Sequence, residues 1–189
     1  MKKIVLFASG SGTNAENIIL HFNKINSGTV VAVFSNNPNA KVLDRAEKLK
    51  VPTVVFAKEE FLGDEVLHKL KSYKPDLIVL AGFLLKFPQT IIEAYPHKII
   101  NIHPALLPKY GGKGMYGMNV HRAIIDNKEK ETGIEIHFGN EHYDERNVNF
   151  QKTVTLAGNE TPEEVAEKVH QLEHRYFPEV IEKLITHNL

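Results

Sequence analysis

Short apolar runs that alternate with amphipathic segments constrain the fold of this chain more than any other feature of its sequence. The runs at 4–8 and 77–81 have no polar residue at alternate positions, which is typical of strands buried on both faces of a sheet. Because a helical pattern separates each run from the next, the runs predict parallel strands joined by crossover helices. The predicted strands are 4–8, 30–35, 53–56, 77–81 and 99–102, and the predicted helices between them are 14–22, 40–49, 63–73 and 89–95.

The pattern changes after residue 103. Residues 104–118 are rich in glycine and proline, and a loop of that length in a compact domain is usually functional or disordered. Thr161 and Glu164 form a capping-box motif, with proline at the first helical position between them. The predicted elements of this part are a helix over 120–126, two antiparallel strands over 132–138 and 148–155, and a closing helix that ends near residue 184.

These elements predict an α/β fold with a doubly wound, mostly parallel sheet. The two strands near residues 132–155 form an antiparallel addition to that sheet, and a long C-terminal helix closes the fold. Since neither a linker nor a repeat interrupts the pattern, residues 1–189 are predicted to form a single domain.

Composition excludes several classes of protein. The chain has no cysteine, which rules out disulfides, thiolate metal sites and a cysteine nucleophile. Lys+Arg and Asp+Glu are both 23, so the overall field does not favour nucleic acid. The apolar run after Lys3 is too short for a secretory signal, and no run approaches the ~20 residues that span a bilayer. We expect a cytoplasmic protein that binds neither nucleic acid nor membrane. The sequence leaves open whether the protein forms a homodimer.

A glycine-rich segment, Ser9 to Ala15, lies directly between the first predicted strand and the first helix. Its glycines let backbone N–H groups approach an anion at a helix N-terminus, which favours a phosphate. The spacing also fits the dinucleotide pattern, but that pattern expects a carboxylate after the second strand, where this chain has Asn36 and Asn37. A phosphate without a dinucleotide is the better interpretation, and a glycine turn without any ligand is the alternative.

Asn101 and His103 are two residues apart at the end of the fifth predicted strand, so they share one face at the carboxyl edge of the sheet. Asn donates hydrogen bonds to a carbonyl oxygen, and His stabilises an oxyanion or moves a proton near neutral pH. Together with the long loop that follows, this pair predicts a catalytic site. Asp144 lies in a polar turn, and spacing alone does not bring it to His103.

The ten histidines invite a metal-site interpretation, which we set aside. His121 and His137 are sixteen residues apart, and His170 and His174 share a helix face, but spacing completes no ligand set. His170 and His174 are predicted to be surface residues of the closing helix.

In order along the chain, four segments resemble the phosphoribosylglycinamide formyltransferase family, which is folate-dependent and acts in de novo purine synthesis. The resemblance covers nearly the whole chain, and the segment over 101–117 is its most specific part. The segments are 9–14, 35–37, 75–83 and 101–117. It implies the Rossmann-like formyltransferase fold and two small-molecule substrates, glycinamide ribonucleotide and 10-formyltetrahydrofolate, with no metal.

The resemblance also assigns roles to residues at matching positions. Asn101, His103 and Asp144 fall where the family has its catalytic trio. The implied substrate-binding residues are Gly12, Thr13, Asn14, Lys109, Tyr110 and Glu173, and the implied folate-binding residues are Leu84, Leu85, Lys86, Phe87, Asn140, Glu141, His142 and Tyr143.

The implied reaction is attack of the glycinamide amine on the formyl carbon through a tetrahedral intermediate. Asn101 and a protonated His103 would stabilise the oxyanion, each donor contributing roughly 3–4 kcal/mol. Asp144 would keep His103 charged and would help to move the proton to the leaving nitrogen.

The chain departs from the family pattern after Asp144. Arg146 takes the place of a family glycine, Asn147 and Asn149 also differ, and Asn119 replaces a frequent histidine. These changes surround the site and leave the trio intact. They keep one alternative open, a binding module that holds folate or nucleotide without turnover. A formyltetrahydrofolate hydrolase would carry an extra N-terminal domain and a tRNA formyltransferase a C-terminal one, so the length favours neither.

Overall fold

In the computed structural model, seven strands form one sheet in the order β3-β2-β1-β4-β5-β6-β7. The structure describes residues 1–139 and 148–187, without the side chains of 148 and 149. The strands are β1 (Lys2–Phe7), β2 (Gly28–Ser35), β3 (Thr53–Val55), β4 (Leu77–Ala81), β5 (Ile99–His103), β6 (Glu131–Phe138) and β7 (Val148–Thr155). The helices are α1 (Thr13–Lys24), α2 (Lys41–Lys48), α3 (Lys58–Leu62), α4 (Glu65–Tyr73), α5 (Gln89–Ala94), α6 (Met118–Asp126) and α7 (Pro162–His187).

The first five strands are parallel, and β6 and β7 join them as an antiparallel pair, which confirms the predicted architecture. The strand order reverses between β1 and β4. In an open α/β sheet, ligands bind outside the carboxyl ends of the strands at such a reversal. The loops after β1, β4 and β5 therefore form the edge of the sheet where a site is expected.

Two apolar cores lie on opposite faces of the sheet. One face packs side chains of α1, α2, α6 and α7 against alternate residues of the strands, such as Leu6 and Val79. The other face packs α3, α4 and α5 against the intervening residues, such as Phe7 and Ile78. Since β1 and β4 are buried from both sides, they carry the uninterrupted apolar runs that the sequence shows.

Hydrogen bonds between glutamate side chains and the backbone determine where two of the helices begin. The predicted capping box opens α7, because the Glu164 N–H donates to Thr161 Oγ1 (3.2 Å) and the Thr161 N–H donates to Glu164 Oε2 (2.9 Å). The prediction of one helix over 63–73 was wrong in part: the structure has an additional short helix, α3, before α4. In α3 the Glu60 carboxylate accepts from the Ala57 N–H (2.6 Å), and Phe61 is buried beneath it. None of the helices described is long and apolar enough to cross a membrane.

Candidate functional site

Ser9 connects three loops at the reversal of strand order. Its N–H donates to the Gly82 carbonyl (3.1 Å) after β4, and its hydroxyl donates to Asn36 Oδ1 (2.7 Å) after β2. The same hydroxyl accepts from the Leu84 N–H (3.0 Å). The Ser9 side chain thus connects the predicted phosphate loop to the start of the predicted folate-binding stretch. Asn36 is used in this network, at the position where a dinucleotide site expects a carboxylate.

The glycine loop, residues 9–12, ends directly at the N-terminus of α1. Gly12 is the residue before the helix and has φ +74°, in the left-handed region. Thr13 and Asn14 are the first two residues of α1, so their backbone N–H groups lie at the positive end of the helix dipole. This is the geometry that binds phosphate in other α/β proteins.

Asn14 meets Glu173 across 159 residues of sequence. The Asn14 side-chain amide donates to Glu173 Oε2 (2.9 Å), and His170 Nδ1 lies 3.4 Å from the same oxygen. Glu173 is buried, being only 7% exposed. The structure therefore brings together two residues that the family resemblance assigns to the substrate. It also corrects the prediction for His170, which is half-buried beside Glu173, whereas His174 is exposed as expected.

His103 closes β5 and is held by the loop that follows. Its Nε2 lies 2.7 Å from the Tyr110 carbonyl oxygen, and because a carbonyl only accepts, Nε2 carries the hydrogen. Nδ1 is then the ring nitrogen left for a substrate. Burial lowers the pKa of His103, while the Tyr110 carbonyl and the charge of Glu173 act to raise it.

The antiparallel partner of β5 adds polar groups that the sequence analysis did not assign. Asn101 pairs in register with His137, and its Nδ2 donates to His137 Nε2 in a long hydrogen bond of 3.4 Å. His103 pairs with Glu135, a carboxylate that is 2% exposed and accepts from the Leu107 N–H (3.2 Å). Glu135 thus anchors the start of the loop whose Tyr110 carbonyl holds His103. Period-2 polarity along β6 was the available signal for both residues.

The side chains of Lys109 and Tyr110, which the family resemblance assigns to the substrate, both contact Glu129. The Lys109 ammonium pairs with Glu129, and the Tyr110 hydroxyl donates to Glu129 Oε1 (2.7 Å). Together with neighbouring loop residues they line a cleft of about 240 Å³. Among the described contacts, neither side chain meets the glycine loop, and Tyr110 serves the site through its backbone carbonyl.

The predicted folate-binding residues fall into two groups. Leu84 is exposed and Leu85 is half-buried at the carboxyl edge of β4, while Lys86 is exposed. Phe87 is 3% exposed and packs in the aromatic core, 5.7 Å from the Phe83 ring. The remaining predicted residues, Asn140, Glu141, His142, Tyr143 and the catalytic candidate Asp144, lie outside the described residues.

His121 is the other histidine that sequence reasoning considered only as a metal ligand. It lies on α6, is buried, and its Nδ1 has no hydrogen-bond partner among the described residues. Burial lowers its pKa, and the charge of Glu173 opposes that shift. Within residues 1–139 and 148–187, no group of three or more His, Asp or Glu side chains lies close enough to hold a metal ion.

A sequence profile of the family described as formyl transferase matches residues 2–181. The chain belongs to the formyl transferase family. Among solved structures, glycinamide ribonucleotide transformylase 1 from Geobacillus kaustophilus superposes with a TM-score of 0.89 at 34% identity, and the match covers 98% of the present chain and 99% of that structure. The predicted fold class is therefore confirmed.

Curated relatives confirm the resemblance to the phosphoribosylglycinamide formyltransferases. The relative of that name from Bacillus subtilis is 31% identical over 98% of this chain and 95% of its own length. The chloroplastic one from Arabidopsis thaliana is 36% identical over 95% of the chain. The chain spans 64% of the length of that chloroplastic relative.

We predict that this protein loses stability as the pH falls from about 7.5 to 5.5. Burial lowers the pKa of His103, His121 and His137, so the folded state binds fewer protons than the unfolded chain once the pH falls through about 6.5. The free energy of unfolding therefore decreases in this window, although His170, whose pKa is raised by Glu173, acts in the opposite sense.

Urea denaturation at pH 7.5 and 5.5 measures the effect. The H121Q variant should show a smaller difference between the two pH values than the wild type, because it removes a histidine whose pKa is lowered by burial. A midpoint that rises as the pH falls would contradict the prediction.

Proposed function

We propose that this protein transfers the formyl group of 10-formyltetrahydrofolate to the amine of glycinamide ribonucleotide, a step of de novo purine biosynthesis, within one domain over residues 1–189. The observation that carries the proposal is the position of Glu173. It hydrogen-bonds Asn14 at the glycine loop and acts electrostatically on His103 at the end of β5. Glu173 thus interacts with both the glycine loop region and the end of β5, and the relatives carry the name phosphoribosylglycinamide formyltransferase.

The phosphate of the ribonucleotide is assigned to the glycine loop. Its charge faces the first N–H groups of α1, at Gly12, Thr13 and Asn14, where anions are stabilised by the helix dipole. Glu173 is suited to accept hydrogen bonds from ribose hydroxyls, since its carboxylate is buried and already oriented by Asn14. The amine to be formylated then extends toward the end of β5.

The acceptor amine attacks the formyl carbon, and negative charge develops on the formyl oxygen. The Asn101 amide is one donor for that oxygen, because its second N–H is not used by His137. His103 is the other, through Nδ1. Since Nε2–H is committed to the Tyr110 carbonyl, Nδ1 donates only in the imidazolium and accepts a proton in the neutral ring.

The protonation state of His103 is thus the central variable of the mechanism. Burial favours the neutral ring by lowering its pKa, whereas the Tyr110 carbonyl and Glu173 favour the imidazolium. In this proposal Asp144 supplies the further negative charge that makes His103 a donor at the oxyanion. Asp144 then passes the proton of the attacking amine to the leaving folate nitrogen.

The formyl donor is assigned to the loop after β4, together with the predicted folate-binding residues 140–143. Leu84 and Leu85 offer apolar surface to a flat ring, and Leu85 also packs against the aromatic core that contains Phe87. Lys86 is the exposed cation of this stretch and suits the carboxylates of a folate tail.

The direct test supplies glycinamide ribonucleotide and 10-formyltetrahydrofolate to the purified protein and follows formation of the deformylated folate. We expect turnover that depends on both substrates. Folate release in the absence of the ribonucleotide would identify a hydrolase, and folate binding without release in either case would identify a binding module. Either result would overturn the proposed function.

A further inference from the structure

Helix α2 lies behind the glycine loop and donates hydrogen bonds to the carbonyl oxygens of that loop. The Val42 N–H donates to the Gly10 carbonyl (3.1 Å), and Arg45 Nε donates to the Ser11 carbonyl (2.7 Å). The next carbonyl, of Gly12, accepts from the Glu16 N–H inside α1 (2.9 Å). Three consecutive carbonyls of the loop are therefore occupied.

This arrangement fixes the direction of three N–H groups. In a trans peptide the N–H points away from the C=O, so each held carbonyl orients the N–H of the next residue to the opposite side. The N–H groups concerned belong to Ser11, Gly12 and Thr13. Among the described residues none of the three has a hydrogen-bond acceptor, which leaves all three available to an anion.

Arg45 makes the one contact of these three that comes from a side chain. Its Nη1 lies 3.0 Å from Glu16 Oε2, so its charge is compensated by a carboxylate, and both side chains are about one third exposed. A compensated guanidinium is poorly suited to binding the phosphate directly. It is well suited to fixing a peptide, because its planar N–H donors are rigid.

The peptide that Arg45 holds would otherwise rotate easily. It joins Ser11 to Gly12, and glycine crosses between positive and negative φ at little cost. Val42 packs against the Gly12 Cα and limits the space behind the loop but offers no donor to this carbonyl. The orientation of the Gly12 N–H thus depends on the Arg45 hydrogen bond.

We propose that Arg45 is a positioning residue for the phosphate of the substrate: by binding the Ser11 carbonyl, it aims the Gly12 N–H into the anion site. The inference rests on the proposed function for the identity of the phosphate compound. It adds to that function a residue outside the site, on the far side of the loop, whose guanidinium does not touch the substrate.

The experiment compares R45Q, R45K and E16Q with the wild type. We expect R45Q and R45K each to raise KM for glycinamide ribonucleotide about tenfold, with kcat and KM for the folate within about twofold, because one aligned hydrogen bond to a charged group is lost. Lysine keeps the charge but not the Nε geometry, so it should not rescue. E16Q leaves the contact between Arg45 and Ser11 in place and should stay near wild type.

Titration of inorganic phosphate, followed by the amide resonances of Ser11, Gly12 and Thr13, provides a readout that does not need turnover. The Gly12 shift on phosphate addition should shrink in R45Q and R45K and persist in E16Q. An unchanged KM and phosphate shift in R45Q, full rescue by R45K, or an equal defect in E16Q would each overturn the inference. If the wild type binds phosphate at these amides without turnover, only the proposed function is overturned. If the wild type binds neither phosphate nor glycinamide ribonucleotide, both proposals are overturned.

Discussion

The H103A variant is expected to lose two to three orders of magnitude in kcat while remaining folded. His103 is assigned as a donor to the oxyanion, and removal of one such donor costs about 10²–10³ in comparable enzymes. Its structural role is smaller, because the side chain makes one hydrogen bond, to the Tyr110 carbonyl, worth about 1 kcal/mol. Steady-state kinetics with both substrates and a thermal melt separate the two contributions.

The matched control is H68A, which removes an exposed histidine of α4. It should keep both kcat and the melting temperature. Turnover of H103A within a few-fold of the wild type would refute the assigned role. A large fall in the melting temperature of H103A would show that the variant has lost the structure of the loop and not only the hydrogen-bond donor.

Replacement of Gly12 by alanine should have the largest effect on stability. A Cβ at this position would lie 2.4 Å from Val42 Cβ and 2.7 Å from its Cα, so the backbone of α2 would have to move. The φ of +74° adds the cost of a left-handed conformation for an L-residue. Together these terms predict a loss of about 2–5 kcal/mol, and binding of the ribonucleotide should weaken with it, since the loop moves.

G10A is the control for this prediction, because a Cβ at Gly10 meets no atom within 4 Å. Its unfolding free energy should stay within about 0.5 kcal/mol of the wild type. Chemical denaturation of the two variants side by side measures the difference. Equal stability of G12A and G10A would show that α2 yields at no cost and would contradict the close packing described at Val42.

Much of the fold could be predicted because the deciding interactions are local or periodic. Residues 4–7 of β1 and all of β4 are buried and apolar, and the capping box at Thr161 fixes the start of α7. The short helix α3 escaped prediction because its start lacks a hydroxyl or amide N-cap and depends on Glu60 reaching back to the Ala57 N–H. The sequence permits that contact, but only the folded backbone brings the carboxylate and the N–H together.

The site was predictable in part, for a physical reason that differs between its residues. Asn101 and His103 stand out because two polar residues on one face end a buried strand. Arg45 does not stand out, and only the family resemblance singles out Glu173, since each reads as an ordinary charged residue on a helix. The fold places Glu173 beside Asn14 and Arg45 behind the glycine loop. His137 is identified by its register with Asn101, which depends on the pairing of β5 with β6.

The contacts between α1 and α7 also bear on the order in which the protein matures on the ribosome. Asn14, Asn17 and His21 of α1 each bond to α7, at Glu173, the His174 carbonyl and Glu182, across 157–161 residues. Because synthesis runs from the N-terminus, the glycine loop and α1 emerge from the ribosome before α7 has been synthesised. A nascent chain shorter than 173 residues has the glycine loop without Glu173, so the three contacts between α1 and α7 form only after Glu182 has been synthesised and α7 docks.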